Sequence, residues 1–342
     1  MATVTTLSSV SWDEALRGFL IHDKASDFSV KTIAFHRTQL TAFIAWANRS
    51  GLNLETFGKR HLDEYLAYRR DEGKAPKTIY HDATCIKVFL KWCVRNDIIT
   101  RNCLAEYEIR TPARTAMYMP TQEDMGILLK VALEFWDTQK NAAVKRVASI
   151  KRSFHRDRNY SILMTLLDSA CRISEVLDLK LDDYQKDEQK KTQQITITTS
   201  KGRKARVLPI TPECADALAD WLRIRARIMK QVPVGTDEHW IFMSETGNRL
   251  DSSSFCKVLH RYTKQAGLSE KITLHSLRRY SINRLVKINP RAAQYIAGHE
   301  DMKTTDLYSQ IDAEHIRDVQ QQAGVVRGIM HSKRTAKKPR LV

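Results

Sequence analysis

Apolar residues recur at helical spacing through most of this chain, whereas a clear alternation of apolar and polar residues occurs in one stretch. The helical periodicity stops between about residues 105 and 120 and resumes beyond them. A helix buries its apolar stripe against neighbouring elements, so two runs of helices on either side of such a break predict two separately packed domains. A length of 342 residues is enough for each domain to have its own core.

The first domain is predicted at residues 1–110 and is all-α. Ser11-Trp12-Asp13-Glu14 has the form of a capping box, which indicates a helix start. Apolar residues at helical spacing, bounded by glycines and by a first-turn proline, predict three further helices: one over residues 29–49, one around Leu62, Tyr65 and Leu66, and one that begins at Pro76.

Residues 111–120 are predicted to be a linker, because this stretch is polar and basic and contains proline. Arg110 and Arg114 are candidates for contact with a phosphate backbone, although an ordinary solvated linker explains them equally well.

The second domain, at residues 121–330, is predicted to be α+β. Ile195-Thr196-Ile197-Thr198 alternates at period two, Val207-Leu208-Pro209-Ile210 is a candidate second strand, and Ser200-Lys201-Gly202-Arg203-Lys204 lies between them as the turn. The chain as a whole is therefore expected to be mainly α with one small antiparallel β-hairpin or sheet. Residues 331–342 are basic and poor in apolar residues, so we expect this tail to be disordered.

The charge of the chain indicates a polyanionic partner. There are 56 lysine and arginine residues against 39 aspartate and glutamate residues, which gives a formal net charge of +17. Nucleic acid is the default partner for such a chain, and charge alone leaves open a merely basic soluble protein. A basic segment at residues 140–158 is equally compatible with a DNA contact and with a solvated face.

Membrane and extracellular classes are excluded on sequence grounds. The best apolar run, at residues 162–167, falls far short of the ~20 residues that span a bilayer, and the first residues lack the pattern of a signal peptide. Six scattered cysteines argue against a disulfide framework or a zinc site and suit a reducing compartment. We therefore expect a cytoplasmic protein without a membrane partner.

Three local motifs in the second domain suit phosphate chemistry: Cys171-Arg172-Ile173-Ser174-Glu175, His275-Ser276-Leu277-Arg278, and Gly298-His299 with Tyr308 nine residues later. Arginine donates two parallel hydrogen bonds to a phosphate and stays charged, so Arg172 and Arg278 are candidates for phosphate binding. His275 and Arg278 are three residues apart, so a helix presents both on one face.

Together, these motifs resemble the tyrosine recombinase (phage integrase) family, whose members cut and rejoin DNA through a phosphotyrosine bond. The resemblance implies a catalytic set in which Tyr308 is the nucleophile. Arg172 and Arg278 would stabilise the scissile phosphate, and Glu175 would hold Arg172 in place. A free phenol has a pKa near 10, so neighbouring cations and a base are needed to make its oxygen reactive.

The resemblance also implies which groups move the protons. It favours His275 as the base that takes the tyrosine proton and His299 as a hydrogen-bond donor to the phosphate, although the two roles stay open. A lysine in the hairpin turn is implied to protonate the leaving 5′ oxygen. Lys201 fits the family register best, and Lys204 is a close alternative. This chemistry needs no metal and no other cofactor, because the basic side chains supply the positive charge.

Two positions depart from the family pattern. Ala170 stands where the family usually has glycine, and Arg279 stands where it often has histidine. Neither change removes a catalytic side chain, and Arg279 joins Arg203 and Lys204 as a candidate DNA contact.

The resemblance further implies an assembly. The first domain resembles a core-binding domain that forms a clamp around double-stranded DNA together with the catalytic domain, and four subunits exchange strands in a tetrameric synapse, with accessory proteins as further candidate partners. The length suits a simple two-domain recombinase. After Tyr308, Ile316, Val319, Ala323 and Val326 lie at helical spacing. We expect this helix to dock on a neighbouring subunit, and packing onto its own domain is the alternative.

Two other functions are compatible with parts of the pattern. A type IB topoisomerase uses similar residues but relaxes supercoils as a monomer, and a DNA-binding regulator would bind without cleaving. The complete motif set favours the recombinase. The target sequence, and whether the reaction is integration, excision or resolution, are not readable from the chain, because base contacts depend on docking geometry.

Overall fold

The computed structural model describes residues 10–113, 118–136, 149–187, 192–198, 205–230, 239–298, 313–324 and 327. The chain divides into two compact units, Met1–Ala116 and Met117–Val342. Each unit has its own cluster of buried apolar side chains. No helix among these described residues combines the length and the apolar character that crossing a bilayer requires.

In the described part of the first unit, four helices follow one another: α1 (Trp12–Ala25), α2 (Val30–Arg49), α3 (Lys59–Asp71) and α4 (Pro76–Arg95). The Ser11 hydroxyl accepts the Glu14 N–H at 3.3 Å, and the Glu14 carboxylate accepts the Ser11 N–H at 3.0 Å. Pro76 occupies the first turn of α4, where its missing N–H removes no helical hydrogen bond. These helices and both start signals agree with the sequence pattern.

Aromatic side chains fill the centre of the first unit. Trp12 packs edge-on against Phe43 and Phe57, with ring centroids 5.1 and 5.7 Å away. Its Nε1 donates to the Leu52 carbonyl at 2.8 Å, so its one polar atom is satisfied. Burial of a side chain such as Phe43 stabilises a fold by about 1.5–3 kcal/mol. The first unit therefore has a substantial core of its own.

The second unit is mainly helical and contains a small antiparallel sheet, which confirms the predicted fold class. Its described helices are α5 (Gln122–Glu134), α6 (Ser149–Ser169), α7 (Ile173–Leu177), α8 (Pro212–Met229), α9 (Ser252–Gln265), α10 (Leu274–Val286), α11 (Pro290–Ala297) and α12 (Ala313–Ala323). The strands are β1 (Tyr184–Asp187), β2 (Thr192–Ile197) and β3 (Arg206–Ile210), in the order β1-β2-β3.

Strands β2 and β3 form the predicted pair, with Ile195 opposite Leu208. Strand β1 is absent from the sequence prediction and pairs with β2 so that Tyr184 lies opposite Ile195. Its sequence, Tyr-Gln-Lys-Asp, has one apolar residue and no alternation. Pairing with a neighbouring strand, rather than its own pattern, makes it a strand.

Helix α6 is central to the second unit and determines where Arg172 lies. Its residues 162–167 are completely buried, and it packs against α5, α8 and α10. The helix ends at Ser169, and Ala170 then adopts a left-handed conformation with a φ of 49°. This change of direction brings Arg172 to the start of α7.

The C-terminal helix α12 packs on its own unit, which differs from the expectation that it docks on a neighbour. Val319 and Ala323 are each 3% exposed and belong to the core of the second unit. Gln320 Nε2 donates to the Asp168 carbonyl at 3.3 Å, and Arg284 Nη2 donates to the Ala323 carbonyl at 3.1 Å. The described apolar positions of this helix find their partners within the same chain, mainly on β3 and α10.

Candidate active site

Arg172 is held at the N-cap of α7, with a φ of −71° and a ψ of 147°. Ala170, two residues earlier, is at the position where the family pattern has glycine, and its positive φ of 49° accounts for that pattern. A residue with a side chain costs about 1–2 kcal/mol in this conformation. Alanine has the smallest such side chain, so the turn is retained without glycine.

Glu175 holds Arg172 through its backbone and its side chain. The Glu175 Oε2 atom accepts the Arg172 N–H at 2.8 Å, and Oε1 accepts from Arg172 Nη1 at 3.2 Å. A second guanidinium, that of Arg206, donates to Oε2 at 3.0 Å. Burial raises the pKa of the Glu175 carboxyl, but the hydrogen bonds and charges of Arg206 and Arg172 outweigh burial and leave the pKa below its usual value. Glu175 is therefore ionised at neutral pH.

Arg278 is fixed by backbone carbonyls. It is 3% exposed, and its guanidinium donates to the carbonyl of Ala170 at 2.5 Å and to that of Ala297 at 2.6 Å. Burial, followed by the charge of Arg172, lowers the pKa of Arg278 to about 10, so it remains charged at neutral pH. Because both carbonyl partners are neutral, they orient this charge without neutralising it.

His275 lies on the same helix as Arg278, one turn earlier, and is exposed to solvent. Burial lowers the pKa of His275, and the charges of Arg279, Arg278 and Arg172 lower it further. The imidazole is therefore neutral at and above neutral pH. A neutral imidazole beside these three cations is suited to accept a proton.

Arg172, His275 and Arg278 line one open cavity of about 600 Å³. The first turns of α9 contribute Ser252, Ser253 and Cys256 to the lining of the same cavity. The Arg172 side chain is 39% exposed, so it keeps donors available to a bound group. Two oriented guanidinium groups and a neutral imidazole around one space can bind a phosphate and take up a proton beside it.

Several predicted site residues lie outside the described part of the chain: Arg114, Lys201, Arg203, Lys204, His299 and Tyr308. Two of these stretches each adjoin one described element that contacts the site residues. Strand β3 starts at Arg206, after the predicted lysine turn, and α11 is capped by Gly298, directly before His299.

Arg206 belongs to the site and was missed by the sequence argument. Its Nε donates to the Ile296 carbonyl at 3.2 Å, its Nη2 donates to Glu175 Oε2 at 3.0 Å, and a weaker contact reaches Cys171 Sγ at 3.5 Å. A signal was present in the sequence, because alternation along β3 places Arg206 on the same buried face as Leu208. A charged residue on an apolar strand face needs a buried partner.

Arg279 and Arg110, two further candidate DNA contacts, differ in their surroundings. Arg279 is half-buried on α10, and its Nε and Nη1 atoms have no hydrogen-bond partner among the described residues. Arg110 is exposed beside a cavity of the first unit that Arg70 also lines. Neither observation assigns a ligand.

The described part of the basic segment at residues 140–158 is partly structural. Arg158 is 5% exposed, and its Nη1 donates to the Met243 carbonyl at 3.0 Å. Lys151 pairs with Glu245 at 3.6 Å. Arg158 therefore stabilises the second unit and is not available to DNA, which corrects the open interpretation for this residue.

Models of known families match both units. The phage integrase family model matches residues 139–315, more than half of the chain, and the model of the phage integrase N-terminal SAM-like domain matches residues 19–97. Tyrosine recombinase XerC of Chromohalobacter salexigens is 25% identical to this chain over 306 residues, which cover 89% of this chain and 93% of that protein.

Solved structures share the fold at low sequence identity. The XerH site-specific recombinase bound to palindromic difH substrate, in a post-cleavage complex, matches with a TM-score of 0.63 and 18% identity, covering 92% of this chain and 85% of that one. A lambda integrase tetramer bound to a Holliday junction matches with a TM-score of 0.61 and 18% identity, covering 89% and 81%. At these identities the likeness concerns the fold.

Proposed function

This chain belongs to the phage integrase family of tyrosine recombinases, and from that membership we propose that it exchanges strands between two DNA duplexes through a covalent phosphotyrosine intermediate. The observation that carries the proposal is the convergence of Arg172, His275 and Arg278 on one cavity. The net charge of +17 supports a polyanionic substrate.

In the proposed cleavage step, the Tyr308 oxygen attacks the scissile phosphorus and loses its proton to His275. The bond between phosphorus and the 5′ oxygen of the leaving strand breaks, and that oxygen takes a proton from Lys201. Arg172 and Arg278 donate hydrogen bonds to the non-bridging oxygens, where charge builds up in the transition state. His299 donates a further hydrogen bond to the same phosphate.

Rejoining is the reverse of cleavage with a different hydroxyl. The phosphotyrosine keeps the free energy of the broken phosphodiester, so the 5′-hydroxyl of a second duplex displaces Tyr308 without ATP. We propose that four copies hold the two duplexes while the two units of each copy clamp the DNA. A lambda integrase tetramer on a Holliday junction, which shares the fold, supports this assembly. We further propose that the protein acts in the cytoplasm and lies at the nucleoid when it is bound to DNA.

A nicked suicide duplex tests the proposed chemistry, because loss of the short 5′ fragment traps the protein on DNA. The duplex is chosen from a random-sequence library by binding to the full chain. Wild type is expected to become covalently attached, and Tyr308→Phe is expected not to. Tyr295→Phe, a matched change on α11 in the same unit, should attach like wild type.

The result also separates the two alternative functions. Attachment by Tyr308→Phe at the wild-type level would show that another residue is the nucleophile. Binding without attachment by wild type would favour the non-cleaving regulator. Efficient relaxation of a supercoiled plasmid that lacks the selected site would favour the topoisomerase.

A further inference from the structure

We propose that Arg206 is a positioning residue for DNA strand cleavage. Its side chain joins the start of α7, strand β3 and the end of α11 into one rigid frame. The inference rests on the proposed function, because the frame carries Arg172 and leads directly into His299. Arg206 itself lines no part of the described cavity, so it acts through its neighbours.

The first part of the frame is the shared carboxylate of Glu175. Arg206 donates to Glu175 Oε2 at 3.0 Å and to Oε1 at 3.4 Å, a forked contact, while Arg172 holds the same oxygens through its N–H and Nη1. Arg206 and Glu175 side chains are each 8% exposed, whereas that of Arg172 is 39% exposed. The buried guanidinium thus secures the carboxylate, and the carboxylate directs the exposed guanidinium.

The shared carboxylate also sets the charge of the site. One ionised Glu175 balances only one of its two arginines, so the three groups together keep a net charge of +1. Without Arg206, Arg172 and Glu175 would form a neutral pair. A neutral pair attracts the singly charged phosphodiester, or the negative charge that develops in the transition state, far less than a cationic cluster does.

The second part of the frame is the end of α11. Arg206 Nε donates to the Ile296 carbonyl at 3.2 Å, and Arg278 Nη2 donates to the adjacent Ala297 carbonyl at 2.6 Å. These are carbonyls of the last helical turn, which lack helical partners and attract cations. Two arginines therefore fix the point from which the chain proceeds to His299.

Gly298 gives independent support for this close packing. It caps α11 with a left-handed φ of 59°, and a Cβ atom added there would lie 2.9 Å from Arg206 Cζ and Nη1. The guanidinium therefore occupies the space that a side chain at position 298 would need. Glycine is required here both for the backbone conformation and for the approach of Arg206.

The test compares Arg206→Met and Arg206→Lys with the full-length wild type. The selected suicide duplex is held at saturating concentration, and the rate of covalent attachment is measured in a single turnover from pH 5 to pH 9. Duplex affinity and thermal unfolding without DNA are measured in parallel. Arg158→Met is the matched control, because Arg158 is also buried and donates to a backbone carbonyl of this unit but does not contact Glu175.

We expect Arg206→Met to bind the duplex within a few-fold of wild type and to attach about 100-fold more slowly, as a displaced catalytic group predicts. The acid side of its pH profile should move to higher pH, because burial then raises the pKa of Glu175 without the opposing guanidinium. Arg206→Lys keeps the positive charge but cannot form the forked contact. Its attachment rate should therefore lie between those of wild type and Arg206→Met. Arg158→Met should lose stability while its attachment rate and pH profile stay those of wild type.

Attachment by Arg206→Met within three-fold of the wild-type rate, with an unchanged pH profile, would overturn the proposal. If Arg206→Met fails to fold, Arg206→Lys and Gly298→Ala decide in its place. The added methyl group of Gly298→Ala would displace the Arg206 guanidinium from its position. Slow attachment by both Arg206→Lys and Gly298→Ala therefore supports the proposal, and wild-type rates in both reject it.

A DNA-free measurement separates this inference from the proposed function. The Arg206–Glu175 contact should make unfolding of wild type less pH-dependent near pH 5 than unfolding of Arg206→Met. If that difference is present but wild type never attaches to DNA, the proposed function alone has failed. If wild type attaches but the two proteins unfold and attach alike, the positioning role alone has failed.

Discussion

Arg278 donates a hydrogen bond to the backbone carbonyl of Ala170, which lies 108 residues earlier in the chain. The left-handed turn at Ala170 directs that carbonyl, and the same turn brings Arg172 to the start of α7. One backbone conformation therefore places both arginines of the candidate site. A change at residue 170 should affect stability and cleavage together.

Substitutions at residue 170 test this dependence on backbone conformation. Ala170→Val should destabilise the second unit by about 2–4 kcal/mol, because a β-branched residue is strained at positive φ and the site is fully buried. Ala170→Gly should change stability by less than about 1 kcal/mol, since relief of strain is offset by the greater chain entropy of glycine and the lost buried methyl. Urea unfolding checks both values. A neutral Ala170→Val would contradict the strained turn.

Arg278→Lys should slow attachment to the suicide duplex by 10²- to 10³-fold, about 3–4 kcal/mol. A lysine has no planar fork, so it cannot contact the Ala170 and Ala297 carbonyls and a phosphate in the same geometry. Arg284→Lys is the control on the same helix, because Arg284 also donates to a carbonyl, that of Ala323. Equal rates for the two variants would remove Arg278 from the catalytic set.

The pH profile of attachment should report His275. Burial and then the charges of Arg279, Arg278 and Arg172 lower its pKa, so the neutral base is still present at about pH 6.5 and is lost only as the pH falls through the lowered pKa. Arg279→Gln removes one of these charges and should move the acid limb to higher pH. Single-turnover rates at matched ionic strength measure the shift. An acid limb that moves to lower pH in Arg279→Gln would contradict this electrostatic account.

Asp168 should make the second unit less stable at higher pH. Complete burial raises its pKa to about 6, although the Thr211 N–H donates to it at 2.9 Å. Because the folded pKa lies above the unfolded value, this contribution to stability is present below about pH 3.8 and is lost as the pH rises through about 6. Asp168→Asn keeps the acceptor without the charge and should flatten the pH dependence. Urea unfolding of both proteins at pH 5 and pH 8 measures this pH dependence. If it is the same in Asp168→Asn as in wild type, Asp168 is not its source.

The fold class and the local parts of the site could be predicted from the sequence, because their signals are short-range. Helical spacing, caps and first-turn prolines identify the helices, and period-two alternation identifies β2 and β3. The Arg172–Glu175 and His275–Arg278 pairs are each three residues apart, so one helical turn determines their geometry.

The remaining relationships required the tertiary structure. Arg206 lies 31 residues from Glu175 and 90 from Ile296, and no periodicity links such positions. Strand β1 exists through pairing with β2, and α12 is buried on its own unit by side chains distant in sequence. The amino-acid sequence alone predicted which side chains would carry the proposed phosphate chemistry, and it determined which segments form most of the helices. Only the tertiary structure showed that the buried Arg206 connects Glu175 with the end of α11. Burial and long-range hydrogen bonds depend on where the elements meet, which the local sequence does not specify.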